Sequence, residues 1–316
     1  PMTILCPGQG AQAVGMGKAW ASSHPEARAV FDIADEVLGD TLGSPLSALC
    51  FIGPAGRLHK TDAAQPAIYV ASVASWHGVC AIAGHDPAEA PLAAAAGLSL
   101  GEYTALHVAG AVSFEDGLRL VTLRGRAMQE AAEASPSSMV ALIGADEDSA
   151  TGLCERVLLK LKGESENDRV LVPANFNAPG QVVISGSVMA CDLAEQLAGE
   201  AGLRATRLTV AGAFHSPLMA PAADRLRAAL GSIKITVPRC PVLSNVTGAP
   251  HATEPGSIAE RLIEQLTSPV RWAADCSYIN EHVEGTPYEL APGKTLAGLM
   301  RRIDRGVTVT SHDTPD

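Results

Sequence analysis

Gly97-Leu98-Ser99-Leu100-Gly101 follows the apolar run Leu92–Gly97 and opens Leu100–Ala109, whose spacing reads as a helix. A G-x-S-x-G stretch between a strand and a helix is the signature of a nucleophile elbow. Small residues on either side of the serine permit a sharp turn with strained backbone angles. The turn lifts Ser99 Oγ above the edge of a sheet, and the helix that begins there aims free N–H groups at the reacting atom. Glu102, directly after the motif, reads as a helix cap.

The rest of the chain supplies the setting this motif needs. Thr3–Cys6 is a short apolar run stopped by Pro7-Gly8 and reads as a buried strand. Helical spacing covers Glu26–Leu38, then Pro66–Ala83 with proline in its first turn, then Phe114–Glu133 with Glu115 and Asp116 near its positive end. From about Ser135 the texture changes. Met139–Ile143, Val170–Ala174, Gln181–Ser185 and Ala205–Val210 read as short strands, with helices near Asp146–Lys162 and Val188–Ala201. Strand–helix–strand–strand–helix–strand is the ferredoxin-like order. The α/β pattern then resumes through helix Leu218–Leu230, strand Pro241–Ser244, helices Ser257–Gln265 and Arg271–Glu281, strand Thr286–Leu290 and helix Thr295–Ile303. The expected fold is α/β: a mostly parallel sheet core of hydrolase-like type, residues 1–135 and 209–316, covered by helices on both faces. A small ferredoxin-like α+β subdomain is expected as an insertion at 136–208. Thr308–Asp316 is expected to fray.

A serine hydroxyl needs a base, and the chain has nine histidines. His107 lies two turns along the helix after Ser99 and is expected to point elsewhere, while His59 and His85 fall in polar loops. His215 stands apart: it follows the apolar run Leu208–Val210, and Ser216-Pro217 can open the next helix. A histidine on such a loop can meet the serine at the same edge of a parallel sheet. The bland alternative is a surface loop histidine.

Composition removes other classes. The net charge is −11, from 23 basic and 34 acidic residues, with no basic stripe, so nucleic acid is not an expected partner. The most apolar stretch, Ala67–Gly84, is interrupted by Ser72, Ser75 and His77, so no membrane span is expected. Pro1, Met2 and Thr3 lack a basic segment followed by an apolar one, so no secretory leader is expected. The seven cysteines contain no C-x-x-C, which argues against a zinc cluster or disulfide framework and predicts buried thiols in the cytoplasm.

Dispersed, collinear blocks resemble the malonyl-CoA:acyl carrier protein transacylase family, including the acyltransferase domains of fatty acid and polyketide synthases. The blocks are Pro7–Gln12, Val14–Gly17, Thr61 with Gln65-Pro66-Ala67, Gly97–Tyr103, Arg124–Gln129, Asn175–Gln181, Ala213–Met219, Ser244-Asn245-Val246, Gln265-Leu266, Pro269–Trp272, Glu289 and Pro292–Lys294. The resemblance covers about residues 3–304. The resemblance implies a ping-pong transfer of malonyl from malonyl-CoA to an acyl carrier protein. Ser99 would be the acylated nucleophile and His215 its base and acid. Backbone N–H groups of Gln9 and Leu100 would form the oxyanion hole. Arg124 would bind the malonyl carboxylate, with Phe214 beside the acyl α-carbon. Gln265, grouped with them at the substrate, would orient His215 through its backbone carbonyl in place of an aspartate. The family implies a monomer and no cofactor beyond the malonyl-CoA substrate. One departure stands out: the family usually has histidine before the serine, where this chain has Leu98.

Two other readings use the same residues. A serine hydrolase would employ the elbow and histidine with water as acceptor, taking Asp168 or Asp192 as its acid. An acyltransferase-like scaffold would only dock carrier proteins. Since carrier proteins are acidic, Arg204 and Arg207 are the expected docking residues.

Overall fold

The computed structural model describes residues 1–316. Its strands, in chain order, are β1 Met2–Cys6, β2 Leu92–Gly97, β3 Ser137–Ala145, β4 Leu171–Ala178, β5 Gly180–Ser187, β6 Arg204–Arg207, β7 Leu243–Ser244, β8 Ala249–Pro250, β9 Pro287–Leu290 and β10 Thr310–His312. One sheet is parallel throughout, in the order β10-β9-β1-β2. Helices cover it, so β1 and β2 are buried along their carboxyl halves, which is why they read as unbroken apolar runs. Pro241-Val242 lies along the free side of β2, with Ala95 N donating to Pro241 O at 2.9 Å. The expected strand Pro241–Ser244 therefore splits: two residues flank β2, and β7 turns to pair with β8.

The helix Thr61–Ala83 runs through the largest apolar core. It begins five residues before the expected start, with Pro66 in its second turn. Proline there forfeits one intrahelical bond; burial of Thr61, Ala63, Ala64 and Gln65 offsets it. By length and composition this is the one helix able to cross a membrane; its most apolar window is 78% buried inside the protein.

The second sheet is antiparallel, in the order β4-β5-β3-β6, which is the ferredoxin-like arrangement. Helices Glu147–Lys160 and Val188–Ala198 pack on it around a separate apolar core. Asp146 and Ser149 cap the first of these helices reciprocally. This sheet is stitched to the rest of the molecule: Phe176 N donates to Val270 O at 2.9 Å and Val270 N to Ala174 O at 2.8 Å. β6 ends at Arg207, so the expected strand to Val210 is cut short. Leu208 N still donates to Met139 O at 3.0 Å, and Leu208, Thr209 and Val210 wall a cavity on the way to His215.

The carboxyl terminus does not fray as expected. Thr310–His312 extends the parallel sheet beside β9. Val307 and Val309 pack on a core around Trp272 and Leu299, Ser311 Oγ donates to Glu289, and Trp20 Nε1 donates to His312 O at 2.9 Å. The alternating β-branched run Val307-Thr308-Val309-Thr310 suits a strand, and these tertiary contacts hold it in place.

Candidate active site

Ser99 and His215 are the only non-glycine residues with left-handed backbones, at φ 53° and 58°. Such a conformation costs about 1–3 kcal/mol and persists only where the surroundings impose it. At the elbow, Ser99 N donates to Asn245 Oδ1 at 2.8 Å, and Gln265 Nε2 donates to Ser99 O at 3.0 Å. The small residues of the motif are required by close approach. A Cβ on Gly97 would lie 1.8 Å from Gly101 C, and one on Gly101 would lie 2.1 Å from Cys6 O.

The two strained residues face each other. Ser99 Oγ lies 2.8 Å from His215 Nε2, and His215 Nδ1 lies 2.7 Å from Gln265 O. A carbonyl can only accept, so Nδ1 carries the ring proton and Nε2 presents its lone pair to the serine hydroxyl. Burial, then the charge of Arg124, lower the His215 pKa to about 4. The imidazole is therefore neutral and able to take a proton at ordinary pH. No carboxylate replaces the carbonyl behind it. Asp192 is paired with Arg207, and the side chain of Asp168 accepts from Ser165.

Arg124 is 1% exposed and makes no ion pair. It projects from the helix Phe114–Ala134 on the inward stripe with Val121 and Met128. Its Nη1 donates to Gln65 Oε1 at 2.8 Å, and its Nη2 to Gln265 Oε1 at 2.9 Å and Ser99 Oγ at 3.1 Å. Its Nε has no partner. A buried cation with a spare donor and only neutral partners is costly unless an anion joins it.

These groups open onto a cavity of about 950 Å³ between the two sheets. Gln9, Leu98, Leu100, Phe214 and Val183 are among its walls. The backbone N–H groups of Gln9 and Leu100 make no backbone hydrogen bond, so both remain available to a ligand oxygen. Leu98 offers the cavity an apolar side chain. Gln265 is placed differently from the expectation that grouped it with the substrate: it is fully buried and does not line the cavity. From behind, its carbonyl holds His215 and its carboxamide touches Arg124, Ser99 O, Glu102 and Asn245.

Sequence reasoning missed that rear layer. Glu102, read as a cap, makes no side-chain cap bond. It is fully buried and accepts from Asn245 N, Gln265 Nε2 and His251 Nε2, the last at 2.5 Å. Asn245 also donates to Asp275 Oδ2 at 2.7 Å. Burial, then the nearby Glu102 charge, hold the Asp275 pKa well above the carboxylate range. The polar residues in the Ser244-Asn245-Val246 block were the only local signal. His59, set aside as a loop histidine, lies on the cavity rim against Gln12 Nε2 at 3.1 Å. His107 does point away, to Val112 O. Of the two arginines expected to dock a partner, Arg204 is exposed and in no ion pair, while Arg207 pairs with Asp192 and Glu195, each at 2.6 Å.

A family profile described as the acyl transferase domain matches residues 3–307. The chain is 39% identical to the malonyl CoA-acyl carrier protein transacylase of Bacillus subtilis, over 100% of this chain and 94% of that protein. The structure is similar to an acyl carrier protein S-malonyltransferase from Vibrio cholerae, with TM-score 0.89, 38% identity and coverage of 99% and 97%. It is also similar to a malonyl-transacylase solved in complex with its type II PKS acyl-carrier protein, with TM-score 0.87, 37% identity and coverage of 98% and 94%.

Proposed function

The chain belongs to the acyl transferase domain family, and on that premise we propose that it moves a malonyl group from malonyl-CoA to the phosphopantetheine thiol of an acyl carrier protein. The observation that carries this reading is the buried, unpaired Arg124 guanidinium within 3.1 Å of the Ser99 hydroxyl. It suits an acyl group bearing its own carboxylate.

In this reading His215 takes the Ser99 proton as the hydroxyl attacks the malonyl thioester. Negative charge grows on the carbonyl oxygen and is met by the Gln9 and Leu100 N–H groups, each worth about 3 kcal/mol. His215 then protonates the departing thiol of coenzyme A. The carrier-protein thiol enters, gives its proton to His215 and attacks the malonyl-serine in the reverse sense. Arg124 grips the malonyl carboxylate with charge-assisted hydrogen bonds. The ring of Phe214 leaves little room for an α-methyl group, a preference limited to about 1–3 kcal/mol. No step calls on a metal or a redox cofactor. Intact-mass analysis after incubation with malonyl-, acetyl- and methylmalonyl-CoA tests the reading: a malonyl adduct on Ser99 is expected, and an adduct of acetyl alone would overturn it.

The lowered pKa of His215 gives this reading a pH signature. Only the neutral imidazole can act as base, so kcat/KM for the free enzyme should rise with pH through about 4 and level off above it. An acidic limb near the ordinary histidine value would mean that the imidazole is solvated in solution.

Docking of an acidic carrier protein on a chain of net charge −11 needs a local positive surface. With Arg207 neutralised, we assign it to Arg301, Arg302 and Arg305. All three are exposed, none is in an ion pair, and they wall a groove on the helix Thr295–Ile303, whose other face lines the cavity. Reversing their charges should raise KM for the carrier protein about tenfold in low salt while malonylation of Ser99 by malonyl-CoA persists. An unchanged KM would dismiss the surface.

We further read 1–135 with 209–316 as the catalytic subdomain and 136–208 as the wall that closes the acyl cavity; their separate apolar cores support this division. We place the enzyme in the cytoplasm as a monomer, a compartment that suits seven buried free thiols.

A further inference from the structure

Arg124 is held, but nothing that holds it is charged. Gln65 Oε1 accepts from Nη1 at 2.8 Å and Gln265 Oε1 accepts from Nη2 at 2.9 Å. Both glutamines are fully buried. The nearest carboxylate, Glu102, is kept one carboxamide away. Gln265 Nε2 donates to Glu102 Oε2 at 2.8 Å, so the Gln265 amide stands between cation and anion. Glu102 is retained on that far side by Asn245 N at 3.1 Å and His251 Nε2 at 2.5 Å. The His251 side chain is 1% exposed and its Nδ1 has no partner. An orphan lone pair costs less than an orphan N–H. Nε2 is therefore the ring nitrogen that donates to Glu102.

We infer that Gln65 and Gln265 are specificity-determining residues for the acyl group: a neutral carboxamide cradle that aims Arg124 without spending its charge. The inference rests on the malonyl-transfer reading above and names what makes Arg124 effective in it. A carboxylate in direct contact would satisfy the guanidinium in the empty enzyme, and the incoming malonyl carboxylate would then have to displace it. With no acceptors at all, the long side chain would lose its orientation in a dry pocket. Two amide oxygens avoid both outcomes. They fix the two terminal nitrogens by hydrogen bonds of modest strength and leave the positive charge for the ligand. The cradle also couples the two halves of the site. Gln265 holds Arg124 through its side chain and His215 through its main chain, so the carboxylate receptor and the base are referred to one residue.

The substitution Gln65→Glu separates charge from geometry. It keeps an acceptor oxygen at the same reach from Nη1 and adds the charge that the cradle excludes. Rates of Ser99 acylation by malonyl-CoA and acetyl-CoA are measured by intact mass on the same preparation. The malonyl-to-acetyl ratio is expected to fall about a hundredfold, because the guanidinium is already paired and the new carboxylate repels the malonyl one. An unchanged or increased ratio would show that Gln65 only props Arg124 in place, and would overturn the inference. If that variant does not fold, Gln65→Met takes its place: about a tenfold fall in the same ratio is expected, and an equal loss of both rates would overturn the proposal. Failure of the functional reading itself is distinct, since the wild-type chain would then form no malonyl-serine at all.

Discussion

Ser99→Ala is expected to remove every trace of covalent acyl-enzyme and to lower transfer by about six orders of magnitude, as loss of the nucleophile does in other serine enzymes. The reason is local. His215 Nε2 has one acidic partner, the Ser99 hydroxyl at 2.8 Å, and alanine leaves the neutral imidazole with no proton to take. The cavity, the Gln9 and Leu100 N–H groups and the Arg124 guanidinium would all persist, so malonyl-CoA should still bind. Intact-mass spectra with malonyl-CoA give the measurement. A malonyl adduct on the variant would assign the nucleophile to another residue. Retained binding together with lost acylation would separate chemistry from recognition.

Arg124→Ala should strike malonyl far harder than acetyl. The malonyl carboxylate would enter a pocket whose only buried positive charge had been deleted, and removing one partner of a desolvated charge pair costs about 2–5 kcal/mol. That corresponds to a loss in kcat/KM for malonyl of about 30-fold to several thousandfold. Acetyl, with no charge to place, should lose much less. The variant carries a second signature. Arg124 is one of the causes that lower the His215 pKa, so the acidic limb of kcat/KM should move to higher pH when the guanidinium is gone. Equal losses for the two acyl groups with no movement of that limb would remove Arg124 from both roles.

The elbow was legible because its chemistry is written within five consecutive residues. Two glycines, a serine between them and an apolar run leading into the motif are all local information. His215 was separable from the other eight histidines because the run before it and the Ser-Pro after it placed it at the same sheet edge. Arg124 was singled out by the family resemblance, and the structure placed it on the inward stripe of its helix. The ferredoxin-like order of the small sheet followed from the alternation of short strands and helices. Glu102, Asn245, His251 and Asp275 were not legible. Each is a polar residue whose role comes from partners that only the tertiary structure brings to it. One of the two docking arginines changes its meaning in the same way, while Arg204 stays exposed and unpaired. Arg207 reads as a free cation until Asp192 and Glu195 on the neighbouring helix take it up.

By itself the sequence determined the periodic features: where helices and strands run, which serine a tight turn can present, and which residue types stand ready to react with it. The tertiary structure alone decided charge and direction. It buried Arg124 away from every carboxylate, set one amide between it and Glu102, and gave the β-branched C-terminal segment β9 as its partner strand. The physical reason is that periodicity and turn chemistry act over a few residues. The cost of burying a charge depends on what surrounds it in space, and those neighbours arrive from segments more than a hundred residues apart.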